Sequence, residues 1–188
     1  MEHSSVNQEL TLFSYEILGL VGRGGAGAHD LLRMAQDGRI LDWAGESQYY
    51  VEPKRLARLG YLEARKEPGK TRERTVYTLT DKGLEALREW VRTPLGFTPF
   101  KSDALIRILA TDLVGEEAVQ QGFAGLHDDL EDMRARMRET AERAKALPHR
   151  EKYLTIGLEF VEGLISLYEE LIEKVERDFA FQDLADES

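Results

Sequence analysis

Tyr61-Leu62-Glu63-Ala64-Arg65-Lys66, then Glu67-Pro68-Gly69-Lys70-Thr71-Arg72, then Glu73-Arg74-Thr75-Val76-Tyr77-Thr78-Leu79: these residues decide the fold. The last run alternates and is rich in β-branched and aromatic residues, and Pro68-Gly69 marks a turn, so the stretch predicts a β-hairpin. After it, Thr80 predicts the N-cap of a helix over Asp81 to Val91, with Leu84, Leu87, Arg88 and Val91 along one side. Before it, Ser47 as N-cap and Gly60 as C-cap residue bracket another helix. Further upstream, apolar residues at 10, 13, 17, 20 and 21 have helical spacing, and Gly22-Arg23-Gly24-Gly25-Ala26-Gly27 ends that helix. Ala28 to Ala35 predicts a second short helix closed by Asp37-Gly38, and Ile40 to Ala44 an apolar connector carrying Trp43.

Helix, helix, helix, two-stranded hairpin, helix is the order of a winged helix-turn-helix domain, in which the third helix and the hairpin meet DNA. The charge distribution agrees. The chain of 188 residues carries 25 Lys+Arg against 35 Asp+Glu, a net charge of −10. Residues 1–92 are net 0 and residues 93–188 net −10, while residues 54–74 hold eight basic and three acidic side chains, a local +5. A basic stripe on the two elements that would face DNA is the electrostatic footprint of nucleic-acid binding.

Read as a helix at 100° per residue, residues 47–60 turn Tyr49, Pro53, Leu56 and Leu59 inward. Ser47, Val51, Lys54 and Arg58 face the opposite way, with Tyr50 and Arg55 at the flanks. The candidate DNA-binding residues are Ser47, Gln48, Tyr50, Lys54, Arg55 and Arg58 on the helix and Lys70, Arg72 and Arg74 on the wing. Pro53 predicts either a kink or a helix that starts near Val51 with Pro53 in its first turn.

The second half is helical. Thr93-Pro94-Leu95-Gly96-Phe97-Thr98-Pro99-Phe100 reads as a linker. Ser102 or Asp103 opens a helix with Leu105, Ile106, Ile108, Leu109 and Leu113 as its apolar set. Beyond Gly115, one long segment carries Val119, Phe123, Leu126, Leu130, Met133, Met137 and Ala144, with Thr140 or Ala141 filling the gap. After Leu147-Pro148-His149, Tyr153, Ile156, Phe160, Leu164, Leu167, Leu171 and Val175 repeat the pattern. Two heptad-patterned helices predict an antiparallel hairpin that packs on a second copy, with Phe160, Leu164, Leu167 and Leu171 at the dimer interface. The expected architecture is therefore mainly α with a small β-hairpin wing. A winged helix-turn-helix spans residues 1–92, a linker 93–102, a helical dimerisation domain 103–180 and an acidic tail 181–188.

The residues resemble the PadR family of bacterial transcriptional regulators. Ser14-Tyr15-Glu16-Ile17-Leu18-Gly19-Leu20 is similar to that family's first helix, and Ala28-His29-Asp30-Leu31 stands where its second helix starts. Ser47-Gln48-Tyr49-Tyr50, Lys54-Arg55-Leu56 and Gly60-Tyr61-Leu62 resemble its recognition helix. Tyr77-Thr78-Leu79-Thr80-Asp81-Lys82-Gly83 resembles its strand-to-helix junction. The likeness covers about residues 10–92, and the second half matches in pattern, like the helical dimerisation domain of the longer members. His29, where an aromatic is usual, and Pro53, where an aliphatic residue is common, depart from it. The resemblance implies repression of nearby genes, often relieved by a small, frequently aromatic effector; a two-fold homodimer is expected to prefer a pseudo-palindromic duplex operator. Candidate ligand residues are Trp90, Phe97, Phe100, Phe123 and Tyr153, with core packing as the competing reading of each.

Other function classes are weaker. No cysteine excludes a disulfide scaffold, a zinc ribbon and a thiol nucleophile. The longest apolar run, Ile17 to Val21, is far short of the ~20 residues of a membrane helix, and the start of the chain has no secretory pattern, so a cytoplasmic protein is expected. Gly22 to Gly27 matches G-x-G-x-x-G formally, but a helix precedes it and no βαβ unit follows. His127-Asp128-Asp129 point in different directions on a helix, so no metal, no cofactor and no enzyme are expected. The alternative to a DNA-binding regulator is a winged-helix dimer that binds protein or ligand without DNA, in keeping with the acidic balance and Pro53.

Overall fold

The computed structural model describes residues 9–38, 44–68, 73–97, 101–147 and 149–180. Two compact units, residues 1–96 and 97–188, each hold their own core. Among the described residues no helix is long and apolar enough to cross a membrane.

The first unit runs α1 (Leu12–Val21), β1 (Ala26–Gly27), α2 (Ala28–Gly38), α3 (Gln48–Arg58), β2 (Leu62–Glu67), β3 (Arg74–Leu79) and α4 (Asp81–Arg92). The hairpin forms where the alternation places it, β2 and β3 pairing antiparallel from Leu62 opposite Leu79 to Glu67 opposite Arg74. Sequence reasoning missed β1, two residues that pair with Val76 and Tyr77 and make β3 the central strand. Gly25, at φ +75°, makes that close approach possible, because a side chain there would meet Thr78 and the Tyr77 carbonyl. Phe13, Ile17, Leu18, Leu31, Tyr49, Leu56, Tyr61 and Tyr77 are buried together in the core.

The junction of α3, β2 and α4 is built by adjacent motifs. Gly60, at φ +81°, lets the Tyr61 N–H reach the Leu56 carbonyl at 3.0 Å and its own N–H reach Ala57 at 3.1 Å, closing α3 with a Schellman turn. The Thr80 hydroxyl accepts from the Gly83 N–H at 3.1 Å and donates to the Gly60 carbonyl at 2.7 Å. Lys82 donates to the Leu59 carbonyl at 2.7 Å and lies 4.2 Å from the centre of the Tyr61 ring. The start of α4 thus holds the end of α3. Gly83 is buried against Tyr61 and Leu79, and a Cβ there would run into the Tyr61 carbonyl oxygen. Gly83→Ala is expected to destabilise this unit by about 1–3 kcal/mol, read from its denaturant midpoint. On α4 the buried face is Gly83 and Ala86, with Leu87 and Trp90 packed beside them. Leu84, Arg88 and Val91, expected on that side, are exposed, because contact with Tyr61 and Tyr15 turns the helix.

The second unit comprises α5 (Asp103–Leu109), α6 (Thr111–Val114), α7 (Glu116–Phe123), α8 (Leu126–Ala144) and α9 (Glu151–Ala180). The Ser102 hydroxyl caps α5, accepting from the Leu105 N–H at 3.3 Å. The long segment expected after Gly115 is two helices, broken at Ala124-Gly125, although Val119, Phe123, Leu130, Met137 and Ala144 are all buried as the spacing requires. Arg134 on α8 spans to α9, donating to Glu162 at 2.9 Å and to Glu169 at 2.9 Å.

Two apolar sets differ from expectation. On α5 and α6, Ala104 is buried and Ile108 partly so, whereas Leu105, Ile106, Leu109 and Leu113 are exposed. On α9, Val161, Ile165, Ile172 and Val175 fill the core, while Tyr153, Ile156, Phe160 and Leu167 are exposed and Leu164 and Leu171 half-buried. The helix carries two stripes. Val161, Ile165, Tyr168 and Ile172 each follow a residue of the expected stripe by one position, a rotation of 100°. The chain spends one stripe on α7 and α8; of the other, Val175 joins the core and Leu171 packs partly against it, Leu164 is half-buried, and Tyr153, Ile156, Phe160 and Leu167 face outward.

Candidate nucleic-acid interface

Helix α3 presents two unlike faces. Tyr49, Pro53 and Leu56 are buried and Leu59 half-buried; Ser47, Gln48, Val51, Lys54 and Arg58 are exposed, with Tyr50 at the edge. Ser47 stands at the N-cap in helical conformation and makes no side-chain cap bond. The helix is started instead by a preceding turn, in which the Gln48 N–H donates to Gly45 at 2.8 Å and the Val51 N–H to Ser47 at 3.1 Å. A start near Val51 is therefore overturned: α3 begins at Gln48 and includes Pro53, whose ring is fully buried. The missing N–H falls on the inward face, so Pro53 leaves the outer face unbroken.

The inward face also holds charge that sequence reasoning missed. Glu52 is only 7% exposed. Its carboxylate accepts from the Ser14 hydroxyl at 2.6 Å and from Arg55 Nε and Nη2 at 2.7 Å each. The same Nη2 donates to Ser14 Oγ at 3.1 Å and to the Glu9 carbonyl at 3.0 Å. Beside this cluster, the Tyr49 hydroxyl donates to Glu16 at 2.9 Å and the Tyr49 ring meets Phe13 edge-on at 5.1 Å. The wheel held a signal for Glu52: it is three residues after Tyr49 and four before Leu56, both core positions.

Burial pushes the Glu52 carboxyl up, but the hydrogen bonds from Arg55 and Ser14 and the Arg55 charge outweigh it and hold the group below the usual carboxylate range. A lowered folded value contributes stability that is complete above the unfolded value, about 4.3, and is lost as pH falls through the folded one. The stability difference between the wild type and Glu52→Gln is thus expected to be constant near neutrality and to narrow below about pH 4.3, measured by urea unfolding across pH.

The basic stripe divides into spent and unspent charge. Arg55 is spent on Glu52. On the wing, Arg65 pairs with Glu63 at 2.9 Å, and Arg74 lies 3.3 Å from Asp30 and 3.5 Å from Glu67. Lys70 and Arg72 lie outside the described residues. Lys54 and Arg58 are exposed, with no ion pair or side-chain hydrogen bond among the described residues.

The aromatic residues read as ligand candidates have separate surroundings. Trp90 stacks on Tyr15 at 4.6 Å between ring centres, and Phe123 belongs to the core of the second unit. Phe97 is 96% and Tyr153 68% exposed, and Phe100 lies outside the described residues. The Gly22 to Gly27 run joins a helix to an edge strand of an antiparallel sheet, which is no dinucleotide cradle. His127, Asp128 and Asp129 are all exposed on α8.

No protein-family model matches the chain. The negative transcriptional regulator PadR of Bacillus subtilis (strain 168) is 31% identical over 84 residues, 44% of this chain and 46% of that protein. The chain thus aligns with about half the length of that curated relative. The crystal structure of Bacillus subtilis PadR in complex with operator DNA matches at a TM-score of 0.66 and 22% identity, covering 88% of this chain and 99% of that one. The structure of the same protein with p-coumaric acid matches at 0.56 and 21%, with the same coverage. At such identities the likeness to these structures is one of fold.

Proposed function

We propose that the chain is a PadR-type dimeric, sequence-specific DNA-binding transcriptional regulator, a repressor rather than an enzyme; its fold and the 31% identity of an 84-residue stretch to a PadR regulator support the reading. The observation that carries the reading is the outer face of α3, where Gln48, Val51, Lys54 and Arg58 stand exposed and the two cations are unpartnered among the described residues. These side chains suit base edges and phosphates in a major groove: Gln pairs with adenine, Lys and Arg with guanine or phosphate, and an apolar group with the thymine methyl. The wing cations Lys70, Arg72 and Arg74 supply phosphate contacts in this reading. The outer side of α9, with Phe160 and Leu167 exposed and Leu164 and Leu171 half-buried, meets its counterpart on a second copy and sets two recognition helices on a two-fold operator.

The test is a mobility shift with duplex DNA from immediately upstream of the chain's own gene, at about 50 and 200 mM salt. Retardation that weakens steeply with salt is expected, because each neutralised phosphate releases counterions. No retardation at the lower salt contradicts the reading. Relief by a small aromatic acid, the kind of ligand held in one relative's structure, is the regulatory part of the proposal. A tenfold effect on DNA affinity needs about 1.4 kcal/mol of coupling, which calorimetry with and without DNA detects from either side.

A further inference from the structure

We propose that Glu52 and Arg55 are positioning residues for DNA reading, a buried charge pair that fixes the recognition helix against α1 and presents its outer face, with Arg55 acting through Glu52 rather than on DNA. The inference rests on the DNA-binding reading above and adds to it the device that aims the helix.

Glu52 lies on α3 about 160° around the helix from Lys54 and about 120° from Arg58, so its carboxylate points away from the DNA-facing side. It is buried at 7% exposure, and the helix supplies its counter-charge three residues on. A carboxylate inside a helix that must approach phosphates is unfavourable unless neutralised. Arg55 neutralises it in a two-pronged pair, both bonds at 2.7 Å.

The pair is also tied across elements. Ser14 of α1 donates to Glu52, and Arg55 reaches Ser14 and the Glu9 carbonyl, so the cluster joins the middle of α3 to the chain entering α1. The Tyr49–Glu16 bond makes a second tie one turn earlier. Hydrophobic contacts alone allow α3 to slide or rotate on α1; directional bonds at two levels do not. Base readout needs side chains held within about 0.5 Å and 10–20°, whereas phosphate contact tolerates more movement. Loosening the cluster therefore removes sequence discrimination before it removes DNA binding.

The experiment uses the full-length protein, a duplex it selects from a random-sequence pool, and a scrambled duplex of equal length and composition. Glu52→Gln is expected to weaken binding to the selected duplex by about tenfold or more, to leave the scrambled duplex within about twofold, and to leave the salt dependence unchanged. Ser14→Ala removes the Ser14 bonds to Glu52 and Arg55, and with them the Ser14 half of the α1 capping box, but keeps the Glu52–Arg55 pair and the Arg55–Glu9 and Tyr49–Glu16 bonds; it moves the ratio the same way by a smaller amount and serves if Glu52→Gln fails to fold by circular dichroism. Arg55→Gln, which leaves a bare buried carboxylate, is worse than Glu52→Gln, and the double variant recovers to the level of Glu52→Gln alone. Two results overturn the proposal: a selected-to-scrambled ratio unchanged in Glu52→Gln and in Ser14→Ala, or an Arg55→Gln loss equal on both duplexes with a shallower salt dependence, which makes Arg55 a phosphate contact. If the wild type selects no sequence, the DNA-binding reading itself fails. If it selects one and the variants match it, only the positioning role fails.

Discussion

A protein carrying Phe160→Glu and Leu167→Glu is expected to sediment as a monomer and to bind its selected duplex at least about 100-fold more weakly than the wild type. Both side chains are exposed in the single chain, at 66% and 56%, while the core of the second unit uses Val161, Ile165, Ile172 and Val175. Charge at the two exposed positions therefore opposes a second copy and leaves the chain's own packing intact. The free energy at stake is large because a dimer delivers two recognition helices at once: the second half-site is met at an effective concentration that raises the combined affinity by about 10² to 10⁴. Sedimentation velocity measures the first effect and fluorescence anisotropy on the duplex the second. Unchanged helical circular dichroism makes the loss one of assembly. Glutamates at Val161 and Ile165 would instead unfold the second unit, which separates the outward stripe from the inward one.

Replacing Lys54 and Arg58 together by alanine is expected to weaken binding to the selected duplex by at least about 30-fold, with thermal stability unchanged. Each contributes about 1–3 kcal/mol if it reads a base edge. Neither is held by another side chain among the described residues, so their removal costs the fold nothing that it uses. The salt dependence separates the two roles. A side chain on phosphate lowers the slope of log affinity against log salt by about 0.9 in each protomer, and one on a base edge lowers affinity for the selected sequence alone. Arg65 and Arg74, already paired with Glu63 and with Asp30 and Glu67, give smaller effects because part of what DNA would gain is lost from those pairs.

What the sequence made legible was what is locally encoded. The hairpin, the Thr80 cap, the Gly60 helix end and the two faces of α3 each depend on residues within a turn or two of one another, and each stands where the pattern placed it. The two residues of β1 escaped because a strand that short has no periodicity, and it lies inside a glycine-rich run that reads as loop. The α9 seam was ambiguous for a different reason. Two apolar stripes one residue apart both satisfy a heptad, and only packing on α7 and α8 decides which one the chain consumes. The α4 face was misread because Leu84 and Val91 look like core, whereas the contact with Tyr61 requires the smallest residue, Gly83.

At the interface, charge type was legible and charge state was not. Eight cations between 54 and 74 read as one basic stripe. Among the described residues the fold ties Arg55, Arg65 and Arg74 to carboxylates and leaves Lys54, Arg58 and Lys66 open. Three of those pairings join residues two, three or seven apart in sequence, and their geometry depends on helix or strand register. The link from Arg74 to Asp30 spans 44 residues and has no local signature.

Two copies of α3 reading one duplex across a two-fold axis leave a footprint with dyad symmetry. Hydroxyl-radical footprinting of the full-length protein on its selected duplex tests this arrangement most directly. Two protected patches related by a pseudo-dyad are expected, with centres about 10 base pairs or a multiple of that apart, and both are lost together in Lys54→Ala/Arg58→Ala. A single patch, or uniform protection without dyad symmetry that survives the substitutions, would contradict it.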